Sequence, residues 1–259
     1  MTLTDHKAKN GNRMDGDQAS PGSCRVPPPL PWHEILAGSG LTLHAPLGPT
    51  LDAEILQREF AQVDQMVEMG NREFFNHDGS WSGITLIDRA SANGGPGIDR
   101  PTLALMPFLA RYIAESGWHV LGCSLMRLPP GGVLAWHYER QSPLFAESRL
   151  ILPIHAPSGA ATLIADMEIA YPAGQTWIGD FSFPHQVENH SDTQRIVVAI
   201  DVKNTPAFLN SLPPELIDQP QKRQALAQDA INALLSWWAI NPTQQRAYPP
   251  PDKTQSSAR

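Results

Sequence analysis

The amino-acid sequence predicts an α+β fold: a β-sandwich or barrel-like double sheet of the jelly-roll kind, with helices packed on one face. Three observations carry this. Between residues 118 and 202, short β-rich runs are separated by Gly/Pro turns, the pattern of a sandwich or barrel. Helical periodicity is confined to the flanks, as when helices are segregated to one side of an antiparallel sheet. Apolar residues make up 41% of the 259-residue chain, enough for one large core.

The elements follow in order. Residues 1–30 are polar and Gly-rich and end in Pro27-Pro28-Pro29, the composition of a disordered tail. From Leu51 to Met69, apolar residues at Ile55, Leu56, Phe60, Val63, Met66 and Val67 have helical spacing, with Asp52 as N-cap. Ser82 to Asp88 reads as a strand. Thr102 to Glu115 reads as a second helix with Gly117 just past its end. Strands are then expected at 119–128, 133–139, 148–155, 161–168, 175–181, 185–189 and 194–202. The turns between them include Pro129-Pro130-Gly131-Gly132, Pro157-Ser158-Gly159 and Pro172-Ala173-Gly174. Gln221 to Trp238 is a last helix with Leu226, Ile231, Leu234, Leu235 and Trp238 on its apolar side. Docking on the sheet is its more natural use, and a homodimer contact is the alternative. Tyr248-Pro249-Pro250-Pro251 opens a second polar tail. The expected organisation is a tail (1–30), a folded domain that begins with helices (31–210), a C-terminal helical segment (211–242) and a tail (243–259).

Charge and composition narrow the partners. A net charge of −7 argues against nucleic acid, which needs a basic surface. No apolar run approaches the ~20 residues of a membrane span, and the first 20 residues lack a secretory apolar stretch. With only Cys24 and Cys123, a structural disulfide is not expected, and any metal ligands must be imidazole and carboxylate. The expectation is a cytoplasmic protein acting on a small molecule.

The chemistry is concentrated in two segments. Ala135-Trp136-His137-Tyr138-Glu139 places a carboxylate two residues after an imidazole, and residues i and i+2 of a strand share a face. Trp177-Ile178-Gly179-Asp180-Phe181-Ser182-Phe183-Pro184-His185 supplies a second imidazole roughly fifty residues on. His137, Glu139 and His185 can therefore share one ion. Two imidazoles and one carboxylate, with the other positions open, is the arrangement of non-heme Fe(II) oxygenases. A lone strand His is more often simply packed. What raises this reading is the order: His-x-Glu, then Pro-His, then Arg195 ten residues later. Arg195 opens the otherwise apolar strand Arg-Ile-Val-Val-Ala-Ile-Asp-Val, where a guanidinium wants a partner. A dicarboxylate cosubstrate would supply one through a bidentate pair. The alternatives are Asp192, Asp201 or water. Arg149, which begins Arg-Leu-Ile-Leu-Pro-Ile, is similarly placed to bind a cosubstrate or substrate carboxylate.

These residues form a recognisable set. Leu128-Pro129-Pro130-Gly131 leads into His137, and Arg149-Leu150 follows twelve residues later. Then come Gly174-x-x-Trp177-x-x-Asp180-x-Ser182-x-Pro184-His185 and Arg195 with its apolar strand to Val202. The stretch resembles the aspartyl/asparaginyl β-hydroxylase family of Fe(II)/2-oxoglutarate-dependent dioxygenases, a group that includes bacterial proline cis-hydroxylases. The resemblance implies a double-stranded β-helix, cupin-like core with flanking helices. It also implies Fe(II), 2-oxoglutarate as cosubstrate, O2, and hydroxylation of an unactivated C–H bond. His137 and His185 match the iron-ligating histidines, and Arg195 matches the arginine for the distal carboxylate of 2-oxoglutarate. Arg149 matches an arginine of the same pocket.

This chain departs from the family pattern at two positions. Glu139 stands where bacterial amino-acid hydroxylases carry Asp. Ile151 stands where many relatives carry His, and His155 on the same strand is a partial substitute. His190, the other candidate distal ligand, lacks the Pro-His context. The expected substrate is an amino acid or an amino-acid-derived metabolite, walled by 80–85 and by the loop 138–148. The alternatives are a peptide or carrier-bound side chain, a cupin-like metal enzyme that does not use 2-oxoglutarate, and a metal-free binding module.

Overall fold

The computed structural model describes residues 29–66, 73–74, 82–90 and 95–242. The expected tails (all of 1–30 but its last two residues, and 243–259) lie outside them, as do Ser80 and Trp81 of the expected substrate wall. Among these described residues, twelve strands form two antiparallel sheets. The first run is helix α1 (Pro31–Leu36), strand β1 (His44–Thr50), helix α2 (Ala53–Met66) and strands β2 (Glu73–Phe74), β3 (Ser82–Asp88) and β4 (Ile98–Asp99). A 3-10 turn (Pro101–Leu105) then leads into α3 (Pro107–Glu115). Eight strands follow: β5 (Val120–Leu128), β6 (Val133–His137), β7 (Glu147–His155), β8 (Ala160–Ile164), β9 (Met167–Ile169), β10 (Gln175–Gly179), β11 (His185–Asn189) and β12 (Arg195–Lys203). The helices α4 (Pro206–Leu209) and α5 (Pro220–Ile240) close the chain.

The large sheet runs β1-β10-β7-β12-β5-β3-β2, with β4 on β3, and the small sheet runs β6-β11-β8-β9. From β5 to β12 the chain alternates between sheets, which is the double-stranded β-helix. One core lies between the large sheet and α2 and α3, around Leu56, Phe60, Leu109, Leu150, Leu152 and Val198. The other fills the space between the sheets and continues to α1 and α5, through Trp32, Trp136, Ile164, Phe183, Val197 and Leu234. Helices therefore cover two places, not one face. No helix among the described residues is long and apolar enough to cross a membrane.

Local chemistry explains the element ends. Asp52 Oδ1 accepts the backbone N–H of Glu54 at 2.9 Å and of Ile55 at 3.2 Å, capping α2 as expected. Buried Glu59 of α2 accepts the N–H of Phe108 at 2.7 Å and of Leu109 at 3.3 Å, so one carboxylate caps α3 and docks it on α2. The expected helix 102–115 is two pieces, because Pro107 cannot donate within a helix but suits its first position. The expected strand 161–168 is a hairpin, β8–β9, turning at Ala165 with φ 57°. In the β5–β6 turn Gly131 sits at φ 69° and its N–H donates to Asn189 O at 2.8 Å. The Asn189 amide donates back to Leu128 O and Pro129 O, locking this turn to the end of β11. On α5 the buried side is Arg223, Ala227, Ala230 and Leu234, while Leu235 is exposed, so the expected apolar side is rotated.

Three histidines give the fold a pH dependence. Burial holds His33, His44 and His155 below the ordinary imidazole value of 6.5. The unfolded chain therefore binds more protons than the folded one as pH falls through this range, and stability is lost there. His44, on β1 against Trp177 and Tyr171, has a buried Nδ1 without a partner among the described residues. Urea unfolding above and below pH 6.5 is expected to show stability falling on the acid side, and His44→Phe to lessen the slope. A flat profile in the wild type would refute this.

Candidate metal centre

The minor sheet makes the centre. His137 ends β6 and His185 begins β11, and they are register partners across this antiparallel pair. Their ring centroids stand 4.0 Å apart, and both side chains are buried. Each Nδ1 lies against the carbonyl oxygen two residues earlier, His137 on Ala135 at 2.7 Å and His185 on Phe183 at 3.0 Å. Donation from Nδ1 selects the tautomer in which Nε2 carries the lone pair, the form a metal requires. Glu139 lies two residues beyond β6, and its N–H donates to Phe181 O at 2.9 Å. Its Oε1 is 3.9 Å from His137 Nε2. The side chains converge as the i, i+2 reading expected, although strand pairing stops at His137.

The three ligand atoms lie within 4.8 Å of one another. The donor set fits a divalent transition metal: two neutral imidazoles and one anion, held from one side. Among the described residues, no other such group of three is present. His190 is exposed and paired with Glu188 at 2.9 Å, away from the cluster.

Gly179 and Phe181 shape the approach. A side chain on Gly179 would come within 2.7 Å of the Phe181 ring, which packs on His185 with centroids 4.9 Å apart. Glycine there lets the aromatic wall close on the imidazole. The cavity in front of the triad has a volume of about 60 Å³. Alternate residues of β12 (Arg195, Val197, Ala199) line it together with Met126, Ile151 and Thr162.

Arg195 faces this cavity. Its Nη2 donates to Thr162 Oγ1 at 2.9 Å, and among the described residues it has no acidic partner. Burial pushes its guanidinium down to about 10, opposed only by Tyr171. The Tyr171 hydroxyl is buried nearby with no hydrogen-bond partner among the described residues. Sequence reasoning singled out neither Thr162 nor Tyr171, since neither stands in a marked pattern.

Arg149 lines the same cavity but is engaged. Its Nε donates to Asp201 Oδ1 at 2.7 Å, its Nη2 to Asp201 Oδ2 at 3.1 Å, and its Nη1 to Glu139 Oε2. Burial disfavours the charge, but Asp201 and Glu139 outweigh it and raise the pKa. Asp201 also takes Arg89 at 2.7 Å, and Arg89 grips Glu147 at 2.6 Å. Asp201 is thus not the partner of Arg195. His155 does not reach the cavity either. A register shift on β7 turns it outward, and it packs against Phe60 of α2.

A family model described as aspartyl/asparaginyl beta-hydroxylase matches residues 51–205. No curated protein matches the chain. Among solved structures, an oxidoreductase of the 2OG-Fe(II) oxygenase family from Burkholderia pseudomallei aligns at 12% identity and TM-score 0.45, covering 67% of this chain and 89% of that one. A prolyl-4-hydroxylase from Pseudomonas putida aligns at 12% identity and TM-score 0.40, over 67% and 99%. A non-heme alpha ketoglutarate dependent carbocyclase from nogalamycin biosynthesis aligns at 10% identity and TM-score 0.47, over 66% and 83%. These likenesses are of outline only, and the family rests on the sequence match. That match covers more than half of the chain and takes in His137, Glu139, Arg149, His185 and Arg195, so the chain belongs to the aspartyl/asparaginyl β-hydroxylase family.

Proposed function

We propose that the protein is an Fe(II)- and 2-oxoglutarate-dependent hydroxylase of an unactivated C–H bond in an amino acid or amino-acid-derived metabolite. One observation carries the reading: a His-Glu-His cluster with both imidazoles buried and a guanidinium with no acidic partner among the described residues face one cavity. His137, Glu139 and His185 would hold the ion. Arg195, assisted by Thr162 and the Tyr171 hydroxyl, would receive the distal carboxylate of the cosubstrate. When bound, iron and 2-oxoglutarate supply the oxidising chemistry with O2. The protein's own residues orient and exclude water. The carbonyls of Ala135 and Phe183 hold the imidazole tautomers, and Leu128, Leu134, Phe181, Val187 and Val197 keep the cavity walls apolar.

A second cavity of about 250 Å³ shares Met126, Glu139, Arg149 and Ala199 with the first. Thr85, Asp88, Arg89, Ser124 and Asp201 make it polar, with charges of both signs. Such a chamber beside the metal centre suits a small zwitterion better than an apolar substrate. Thr85 belongs to the segment expected as a substrate wall, and Glu147, which falls in the expected 138–148 wall but opens β7, holds Arg89 in place.

The test is succinate formation in air with protein, Fe(II), ascorbate and 2-oxoglutarate, over a panel of amino acids. Succinate should require both iron and 2-oxoglutarate, and at least one amino acid should stimulate it and be recovered hydroxylated. Product formation without 2-oxoglutarate would point to a different metal enzyme, and absence of metal binding would end the reading.

A further inference from the structure

We propose that Arg149 is a positioning residue: braced by Asp201, it holds one oxygen of Glu139 and so presents the other to the metal as a single-oxygen ligand. The inference rests on the metal reading above and adds a role for a residue that binds neither ion nor substrate in it. Arg149 and Asp201 are register partners on β7 and β12, so their side chains lie side by side on one face. They meet fork to fork through Nε and Nη2, leaving Nη1 to reach Glu139 Oε2. Asp201 is itself braced by Arg89, and Arg89 by Glu147. The row Glu147–Arg89–Asp201–Arg149 is thus anchored in the large sheet at β7 and β12. Glu139, by contrast, stands beyond the end of β6 in irregular chain.

A Glu has one more rotatable bond than the Asp of relatives, so aiming its carboxylate costs more side-chain entropy. The clamp removes that freedom. It also reserves Oε2, so Glu139 would offer an ion Oε1 alone. Because Asp201 neutralises Arg149, the pair puts little net charge beside a dication, and orientation outweighs repulsion. Lysine would not serve, since one ammonium cannot bridge both carboxylates in the planar fork geometry.

The experiment is anaerobic titration with Co(II) alone, read by its visible absorption. It compares wild type, Arg149→Met, Arg149→Lys, Asp201→Asn, Glu139→Ala and the double variant Glu139→Ala/Arg149→Met. Arg149→Met is expected to weaken Co(II) binding by about 10- to 100-fold, the usual effect of removing a residue that orients a ligand. Arg149→Lys should recover little, and Asp201→Asn, which touches no ligand, should also weaken binding. On the Glu139→Ala background, Arg149→Met should change nothing further. An undiminished Co(II) affinity in Arg149→Met, with a raised KM for 2-oxoglutarate, would assign Arg149 to the cosubstrate and overturn the proposal. An equal loss with and without Glu139 would overturn it in favour of a general structural role. If Arg149→Met does not fold, undiminished affinity in Asp201→Asn overturns it instead. A wild type that binds no Co(II), or binds it equally well as His137→Ala, overturns the metal reading itself.

Discussion

Replacing Arg195 by Met is expected to abolish useful binding of 2-oxoglutarate while leaving the empty protein as stable as wild type or more so. The two halves have one cause. Arg195 is a guanidinium drawn out of water, with a single neutral acceptor, Thr162 Oγ1, and no acid among the described residues. Burial alone brings its pKa down to about 10, a sign that the folded protein disfavours the charge. A methionine of similar length removes that desolvation cost and fits beside Val197 and Met126. A bound dicarboxylate, however, loses its one full counter-charge in a cavity with apolar walls. Deleting one partner of such a pair typically costs about 2–5 kcal/mol, or on the order of 30- to 5,000-fold in affinity. The measurement is thermal unfolding with and without 2-oxoglutarate in the presence of Mn(II), together with the KM for 2-oxoglutarate. The wild-type transition should rise with cosubstrate and the variant's should not, because only a ligand of the folded state stabilises it. A variant with an unchanged KM would refute the assignment. A variant that unfolds far below the wild type would show that Arg195 has a structural partner.

Much of this centre was legible in the sequence because its parts depend on short-range pattern. The strands carrying His137 and Arg149 are each bounded by a Gly/Pro turn, Pro184 precedes His185, and the i, i+2 rule predicts the proximity of His137 and Glu139. The unread parts depend on register. Nothing local says that Arg149 faces Asp201, because that pairing follows from how β7 and β12 align over their whole length. One alternative was open to exclusion: Arg195 and Asp201 are six residues apart on one strand, roughly 20 Å at 3.3 Å per residue.

In the fold, β1 is not legible in the sequence, because two prolines and a glycine interrupt His-Ala-Pro-Leu-Gly-Pro-Thr. It survives as a strand because it sits at the sheet edge, where only β10 asks for its hydrogen bonds. The β8–β9 turn was missed because Ala165 adopts a positive φ without a glycine to announce it. The large apolar residues Leu, Ile and Trp do not mark the buried side of α5. The buried side is built on Ala227 and Ala230, small residues that allow close approach to the core shared with Trp32 of α1.

That rotated helix face carries the largest expected loss of stability. Arg223→Met should destabilise the fold by about 3–5 kcal/mol, the cost of leaving a buried ionic network without its centre. Arg223 has no exposed surface. Its Nε donates to Asp218 O at 2.8 Å, its Nη1 to Thr42 O at 3.0 Å, and its Nη2 to Glu215 O and to Asp218 Oδ1 at 3.1 Å. The same guanidinium lies 3.9 Å from Asp180 Oδ2, which is also fully buried. One side chain thus joins α5, the turn before it, the segment leading into β1 and the segment leading into β11. Its removal leaves carbonyl oxygens unpaired and the buried Asp180 carboxylate without its nearby counter-charge. Asp180→Asn should cost less. Burial raises the Asp180 pKa despite Arg223 and the Ser182 hydroxyl at 2.5 Å, so its charged form is held at a disadvantage that an amide avoids. Urea unfolding of the three proteins tests this ordering, and a loss under about 1 kcal/mol for Arg223→Met would refute it. The consequence reaches the metal centre, because Asp180 and Ser182 precede Phe183, whose carbonyl orients His185. Arg223→Met should therefore bind Co(II) more weakly although it touches no ligand. Added Co(II) should then restore part of its lost stability, since binding acts only on the folded state.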